Sequence, residues 1–280
     1  MKTDPELPLR GMVVAITRPV GYNTAMANLV KSLGGVPRLA PTVKIRPPED
    51  IGRVEEFIRK ATHGDIDILI FMSVKSVRSL FQVAADARLK HNLLKALGDV
   101  IVVAIGNKTQ DALRLHSVEV KIVPHDHSSK GLLNSLSEID LQGLNIGIPR
   151  SSNADEIFRC VLEKRGAKVD EVTAYISEIP DSVGPALDLI KSLVRREVDA
   201  VTFTSASTGK NLFKIAEAHS LDDELRVGLC DAIVATIGPV TSKAFIEYGV
   251  HVDVISSEHS TEALILALTK KLAERKANNL

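Results

Sequence analysis

The sequence predicts an α/β protein made of two similar, flavodoxin-like, doubly wound parallel-sheet domains, and three observations carry that expectation. The chain repeats itself: Arg18 and Arg150, Gly34 and Gly166, Ser73 and Ser205, and Gly106 and Gly238 each lie 132 positions apart. Between residues 97–136 and 229–268, 14 of 40 positions are identical, where ordinary composition gives about 3 by chance. A period this long exceeds that of any solenoid or propeller repeat, so each copy is domain-sized. Half one runs from about residue 11 to 142 and half two from 143 to 280. Second, 280 residues exceed the usual single core and suit two domains. Third, short apolar runs alternate with amphipathic helical patterns, as in parallel strands covered on both faces.

Taken in order, the strands of half one are MVVAIT at 12–17, a weaker VPRLA at 36–40, DILIFM at 67–72, VIVVAI at 100–105 and VEVKIV at 118–123. Half two repeats them as LNIGIP at 144–149, a weaker KVDEV at 168–172, DAVTFT at 199–204, AIVATI at 232–237 and VHVDVI at 250–255. Each is followed by a helical pattern, and five strands per unit fits the flavodoxin-like topology. Gly34 and Gly166 stand where the first helix of each half must end, as helix C-caps. Less regular segments follow, TVKIRPPED at 42–50 and AYISEIPDS at 174–182, and Pro47, Pro48 and Pro180 make them extended linkers. If the chain crosses at both, the spatial domains are not the sequence halves. Two tandem domains and a swapped pair are equally compatible with the pattern.

Composition excludes several function classes. Lysine plus arginine number 35 and aspartate plus glutamate 35, so no bulk field holds nucleic acid or an anionic membrane surface. Aromatic content is 4% with no tryptophan, a poor supply for base stacking. Cys160 and Cys230 have no C-x-x-C spacing and are expected as buried free thiols. No apolar stretch approaches the length of a membrane span, and a cytoplasmic monomer is expected. TGK at 208–210 lacks the upstream glycines of a phosphate loop, and HDH at 125–127 lacks further ligands, so it is expected as a surface loop; no metal is expected. His127 and His259 are repeat partners, which favours a shared loop structure over a unique base.

The matched polar and glycine positions fall where a strand hands over to a helix: Arg18 with Arg150, Ser73 with Ser205, Gly106 with Gly238, and Ser128 with Ser260. Open parallel sheets bind ligands outside the carboxyl ends of their strands, where helix N-termini present N–H groups to anions. Capping alone would also place serine there, and glycine also permits tight turns. Tyr175 is different, because its repeat partner is Val43. A phenol there could donate a proton at neutral pH, or simply pack its ring with the hydroxyl in water.

Together these residues resemble the uroporphyrinogen-III synthase family over essentially the whole chain. The resemblance is carried by ITRP at 16–19, LGGVPRLAPTVKI at 33–45, IFMSVKSVRSLF at 70–81, VVAIGNKTQDAL at 102–113, IPRSSNADEIFRCVLEKRGAKVDEVTAYIS at 148–177, FTSASTGKNLF at 203–213 and IGPVTSKAFIEYGV at 237–250. It implies two α/β domains joined by a two-stranded linker, with the active site in the interdomain cleft. Domain one would be residues 1–45 plus 178–280, domain two 46–177, and the linkers about 42–50 and 173–182. The implied reaction closes hydroxymethylbilane to uroporphyrinogen III with loss of water and inversion of the last pyrrole, without a cofactor. Tyr175 would be the acid. Thr17, Arg18, Ser205, Ser207, Gly238 and Thr241 would hold substrate on one rim, and Ser73, Lys75, Gly106, Lys108 and Arg150 on the other. The chain departs from the common pattern at Ser177 and Met72, where many members carry threonine. The implied partners are the bilane, with eight carboxylates, and a transient hand-off from hydroxymethylbilane synthase. A two-lobed tetrapyrrole-binding sensor without catalysis is the alternative.

Overall fold

The computed structural model describes residues 7–278. In chain order the elements begin with β1 (Val13–Ile16), α1 (Thr24–Ser32), β2 (Val36–Leu39), β3 (Lys44–Arg46), α2 (Ile51–His63) and β4 (Ile68–Phe71). There follow α3 (Val74–Asp86), α4 (Lys90–Ala96), β5 (Ile101–Ala104), α5 (Asn107–Arg114) and α6 (Ser129–Ser135). Half two contributes β6 (Asn145–Ser151), α7 (Ile157–Lys164), β7 (Lys168–Glu178), α8 (Gly184–Val194), β8 (Ala200–Phe203) and α9 (Ala206–Ala218). The chain closes with α10 (Asp222–Asp231), β9 (Ile233–Thr236), α11 (Pro239–Ile246), β10 (Val254–Ile255) and α12 (Thr261–Asn278).

These elements form two compact units. The first holds residues up to Lys44 and from Glu178 onward, the second Ile45–Ser177. The first unit's sheet runs β10-β9-β8-β1-β2. Numbered within the unit this is the order 2-1-3-4-5 of the flavodoxin-like fold, and every printed pairing in it is parallel. The second sheet runs β3-β7-β6-β4-β5. Each sheet thus takes two strands from one half of the repeat and the rest from the other: β1 pairs with β8, and β6 with β4. The repeat unit is not the folding unit.

The central strands explain themselves by burial. Ile68, Leu69, Ile70 and Phe71 of β4 are all fully buried, as are Ala200, Val201 and Phe203 of β8, because helices cover both faces of each sheet. Gly34 and Gly166 close α1 and α7 at φ +85° and +86°, a conformation that a Cβ disfavours. Asp50 caps α2 by accepting the Arg53 N–H at 2.9 Å.

Four details differ from the sequence expectation. Residues 118–123 do not form a strand; Ile122 makes one isolated bridge to Val103, and the second sheet reaches five strands through β3 on the opposite edge. The run at 250–255 is reduced to β10, since an edge segment has one neighbour and a short ladder. The linker at 174–182 is not irregular in its first half, because β7 runs unbroken from Lys168 to Glu178. Both cysteines are exposed rather than buried; each sits on an outer position of an amphipathic helix, α7 or α10.

Candidate active site

Each sheet has a topological switch point, where the chain leaves in opposite directions from two neighbouring strands and ligands are received at the carboxyl ends. In the first unit it lies between β1 and β8, in the second between β6 and β4. Arg18 and Ser205 follow the first pair of strands; in the second pair Ser73 follows β4 and Arg150 is the penultimate residue of β6. The duplicated residues therefore mark the switch point of both units.

In the second unit the rim is organised around Tyr175. β6 and β7 slip register between Arg150 and Ser151, a bulge that sets Ser151 opposite Tyr175. The burial phase of β7 changes at the same place: Val172 and Ala174 are buried, then Tyr175 and Ser177. A bulge re-aims side chains in this way. The Tyr175 hydroxyl comes within 3.3 Å of Ser73 Oγ. Ser73 is the N-cap of α3, its Oγ accepting the Ser76 N–H at 3.1 Å, and Ser76 Oγ donates to the Ser73 carbonyl at 2.8 Å. The Ser79 hydroxyl donates to the Ala174 carbonyl, which pins β7 to α3 beside the tyrosine. Lys75 Nζ lies 5.9 Å from the centroid of the Tyr175 ring, within the range of a cation–π attraction. Ser73, Lys75 and Tyr175 are thus brought together, and Ser76 and Ser79 hold them there.

Arg150, also proposed from the sequence, is committed elsewhere. It is buried, with Nη1 2.6 Å from Glu171 Oε1 and 2.9 Å from the Asp155 carbonyl. Lys108 is exposed in the first turn of α5, after Gly106.

In the first unit Thr17 is fully buried and donates to the Thr202 carbonyl at 2.9 Å, so its hydroxyl ties β1 to β8. Thr241 is buried in α11. Ser205 is the N-cap of α9 but makes no side-chain cap bond; its Oγ lies 2.9 Å from Ser207 Oγ. Arg18 is half-buried, and its Nε is sealed from solvent with no hydrogen-bond partner among the described residues. Burial lowers the pKa of its guanidinium, outweighing the charge of Glu262 and the influence of Tyr22, which both raise it.

The matched glycines share one cause. A Cβ on Gly106 would stand 2.9 Å from His127 Cγ, and one on Gly238 would stand 2.5 Å from His259 Nε2. An imidazole lies against the N-cap of α5 in one unit and of α11 in the other. The repeat pairing of the two histidines held the signal, but only contact shows which residues they adjoin. The HDH loop is a cap: Ser128 Oγ donates to Asp126 Oδ2 at 2.7 Å and accepts the Gly131 N–H at 3.1 Å. Among the described residues no cluster of three or more His, Cys, Asp or Glu side chains could hold a metal ion. The glycine of TGK meets a packing need instead, since a Cβ on Gly209 would lie 2.4 Å from Phe245 Cζ.

The chain matches the family model for uroporphyrinogen-III synthase HemD over residues 24–266. It is 34% identical over 261 residues to a protein of Methanothermobacter thermautotrophicus provisionally named uroporphyrinogen-III synthase, covering 93% of this chain and 99% of that one. It is 26% identical over 266 residues to the uroporphyrinogen-III synthase of Synechococcus elongatus, covering 94% and 96%. A crystal structure of a mutant uroporphyrinogen III synthase from Thermus thermophilus superposes with a TM-score of 0.72 at 22% identity, over 94% of this chain and 100% of that one. That structure shows the fold, and the family match over residues 24–266 together with the 34% identity over 93% of the chain shows the family: this chain belongs to the uroporphyrinogen-III synthase family.

Proposed function

We propose that this protein is a cyclising lyase of tetrapyrrole biosynthesis, converting hydroxymethylbilane to uroporphyrinogen III with loss of water and inversion of ring D. The observation that carries the reading is the family match over residues 24–266. The juxtaposed Tyr175 and Ser73 at a switch point add a proton donor in the right kind of place.

In this reading Tyr175 donates its phenolic proton to the terminal hydroxyl of the bilane, which leaves as water. The resulting azafulvene is attacked by the last pyrrole through its substituted α-carbon, giving a spiro intermediate that fragments and recloses with that ring inverted. Ser73 orients the phenol, and its hydroxyl together with the N-terminus of α3 stabilises the phenolate as the proton departs. Uncatalysed closure gives the symmetric isomer, so the protein's other task is to orient the two ends of the bilane before they react. The carboxylates of the substrate are taken by the carboxyl-end rims, through Ser205, Ser207 and the Gly238 backbone in the first unit and Lys75, Lys108 and the Gly106 backbone in the second. The working domains are residues 1–45 plus 178–280 and residues 46–177, a division that the compact units support.

The same reading makes the enzyme a cytoplasmic monomer. A polycarboxylate substrate is dissolved in water, and among the described residues no helix is long and apolar enough to cross a membrane. Spontaneous closure of the bilane favours a transient hand-off from hydroxymethylbilane synthase over free diffusion. The test is to add the protein to bilane freshly made by that synthase, oxidise the products and separate the porphyrin isomers. Type III product is expected. Exclusive type I overturns the reading, and porphyrin binding without conversion leaves a binding module in its place.

A further inference from the structure

The duplication supplies an internal control for the two arginines. In β6–β7 the register sets Ile148 opposite Glu171, and in β1–β2 it sets Ile16 opposite Leu39. These are repeat-equivalent positions, each two residues before its arginine. Arg150 therefore finds a carboxylate from the neighbouring strand, 2.6 Å away, whereas the equivalent place beside Arg18 holds an apolar side chain. Among the described residues nothing accepts a hydrogen bond from the buried Nε of Arg18. A guanidinium N–H shut off from water ordinarily has an acceptor, because a donor left unpaired keeps the full penalty of losing its hydration. Glu262, in the first turn of α12, draws the charge without offsetting the cost of burial. Beside Arg18, at the same switch point, Ser205 leaves its hydroxyl unused as a helix cap.

We propose that Arg18 is the binding residue that accepts a carboxylate of the substrate, and that its duplicate Arg150 has been withdrawn from ligand binding by Glu171. A carboxylate matches the fork of guanidinium donors, and the ligand would bring to Arg18 the counter-charge that Glu171 brings to Nη1 of Arg150 in the other unit. The inference rests on the lyase reading and sharpens it, because one member of each matched pair binds and the other holds the fold.

The test uses the full chain as wild type, Arg18→Met, Arg18→Lys and Arg150→Met. Three quantities are read: steady-state formation of type III product, binding of uroporphyrin III and of coproporphyrin III (eight and four carboxylates) by fluorescence at several salt concentrations, and thermal midpoint. Arg18→Met is expected to raise KM and the uroporphyrin Kd about tenfold or more while changing kcat far less. It should flatten the salt dependence and leave the midpoint unchanged or higher. Arg18→Lys, which keeps the charge without the fork, should fall between Arg18→Met and wild type. Arg150→Met should lower the midpoint and spare uroporphyrin affinity in the folded fraction. If Arg18→Met binds and turns over as wild type does, or loses stability as Arg150→Met does, the assignment is overturned. Should Arg18→Met fail to fold, a wild-type Kd and salt slope in Arg18→Lys would overturn it equally. Absence of type III product from the wild type is a different outcome, which removes the lyase reading itself.

Discussion

The Tyr175 hydroxyl lies 3.3 Å from Ser73 Oγ, and that oxygen also accepts the Ser76 N–H at 3.1 Å, which ties the phenol to the start of α3. If the phenol is the acid, Tyr175→Phe should lower kcat about 10²-fold with little change in fold, since general acid catalysis contributes about that much. Ser73→Ala should lower kcat less, roughly fivefold to tenfold, and displace the alkaline limb of the pH–rate profile, while Ser73→Thr should restore both. An unchanged rate in Tyr175→Phe would reduce the residue to packing.

Arg150 and Glu171 form an enclosed ion pair in the second unit, with side chains 9% and 19% exposed. Removing one member leaves the other buried and unpaired, so Arg150→Met should cost about 3 kcal/mol in denaturant unfolding. Arg150→Met combined with Glu171→Leu copies the apolar position that Leu39 occupies in the first unit. The double variant should recover most of that loss, as a coupled pair requires.

Two glycine substitutions should fail differently. A Cβ at Gly209 meets the buried ring of Phe245, which packs 4.5 Å from Phe203 between ring centroids. The ring has nowhere to go, and Gly209→Ala should destabilise by about 2–3 kcal/mol. A Cβ at Gly238 meets the edge of the His259 ring, an exposed side chain rather than a core one. Gly238→Ala should therefore leave the melting temperature nearly unchanged and lower type III formation about tenfold by disturbing the N-terminus of α11. Adding His259→Ala should reverse part of that loss if the clash is its cause.

His116 predicts a pH dependence of stability. Its ring stacks on Phe81 with centroids 4.0 Å apart, and burial, followed by the charge of Lys90, lowers its pKa in the folded state. The unfolded chain then binds the proton more readily, so stability is full above the ordinary histidine value of about 6.5 and falls as the pH drops toward the folded-state value. His116→Phe should flatten that part of the acid limb, measured as urea midpoints between about pH 7 and 5. A parallel acid limb in the variant would assign the slope to other groups.

How far the site could be seen in advance depended on the kind of residue. Arg18, Ser73, Gly106 and their partners were visible because duplication preserved their places at strand ends, and Tyr175 because duplication did not account for it. Glu171 was invisible as a counter-ion, because a residue on β7 meets Arg150 only through strand register. Thr17 looked like a rim hydroxyl but is spent on the Thr202 carbonyl, a contact between residues 185 positions apart in sequence. The exposure of Cys160 and Cys230 is not legible in sequence, because an amphipathic helix does not declare which of its small residues faces outward.

By itself the sequence determined the α/β class, the duplication, the strand cores and the family, because apolar periodicity and motif order are local properties that survive divergence. The tertiary structure decided the exchange of strands between halves, the bulge that aims Tyr175 beside Ser73, and the different fates of two equivalent arginines. Each of these depends on which strand lies next to which. Register is set by the packing of distant segments, and one change at a facing position, Leu39 in one sheet and Glu171 in the other, leaves one guanidinium without the neighbour that neutralises its duplicate.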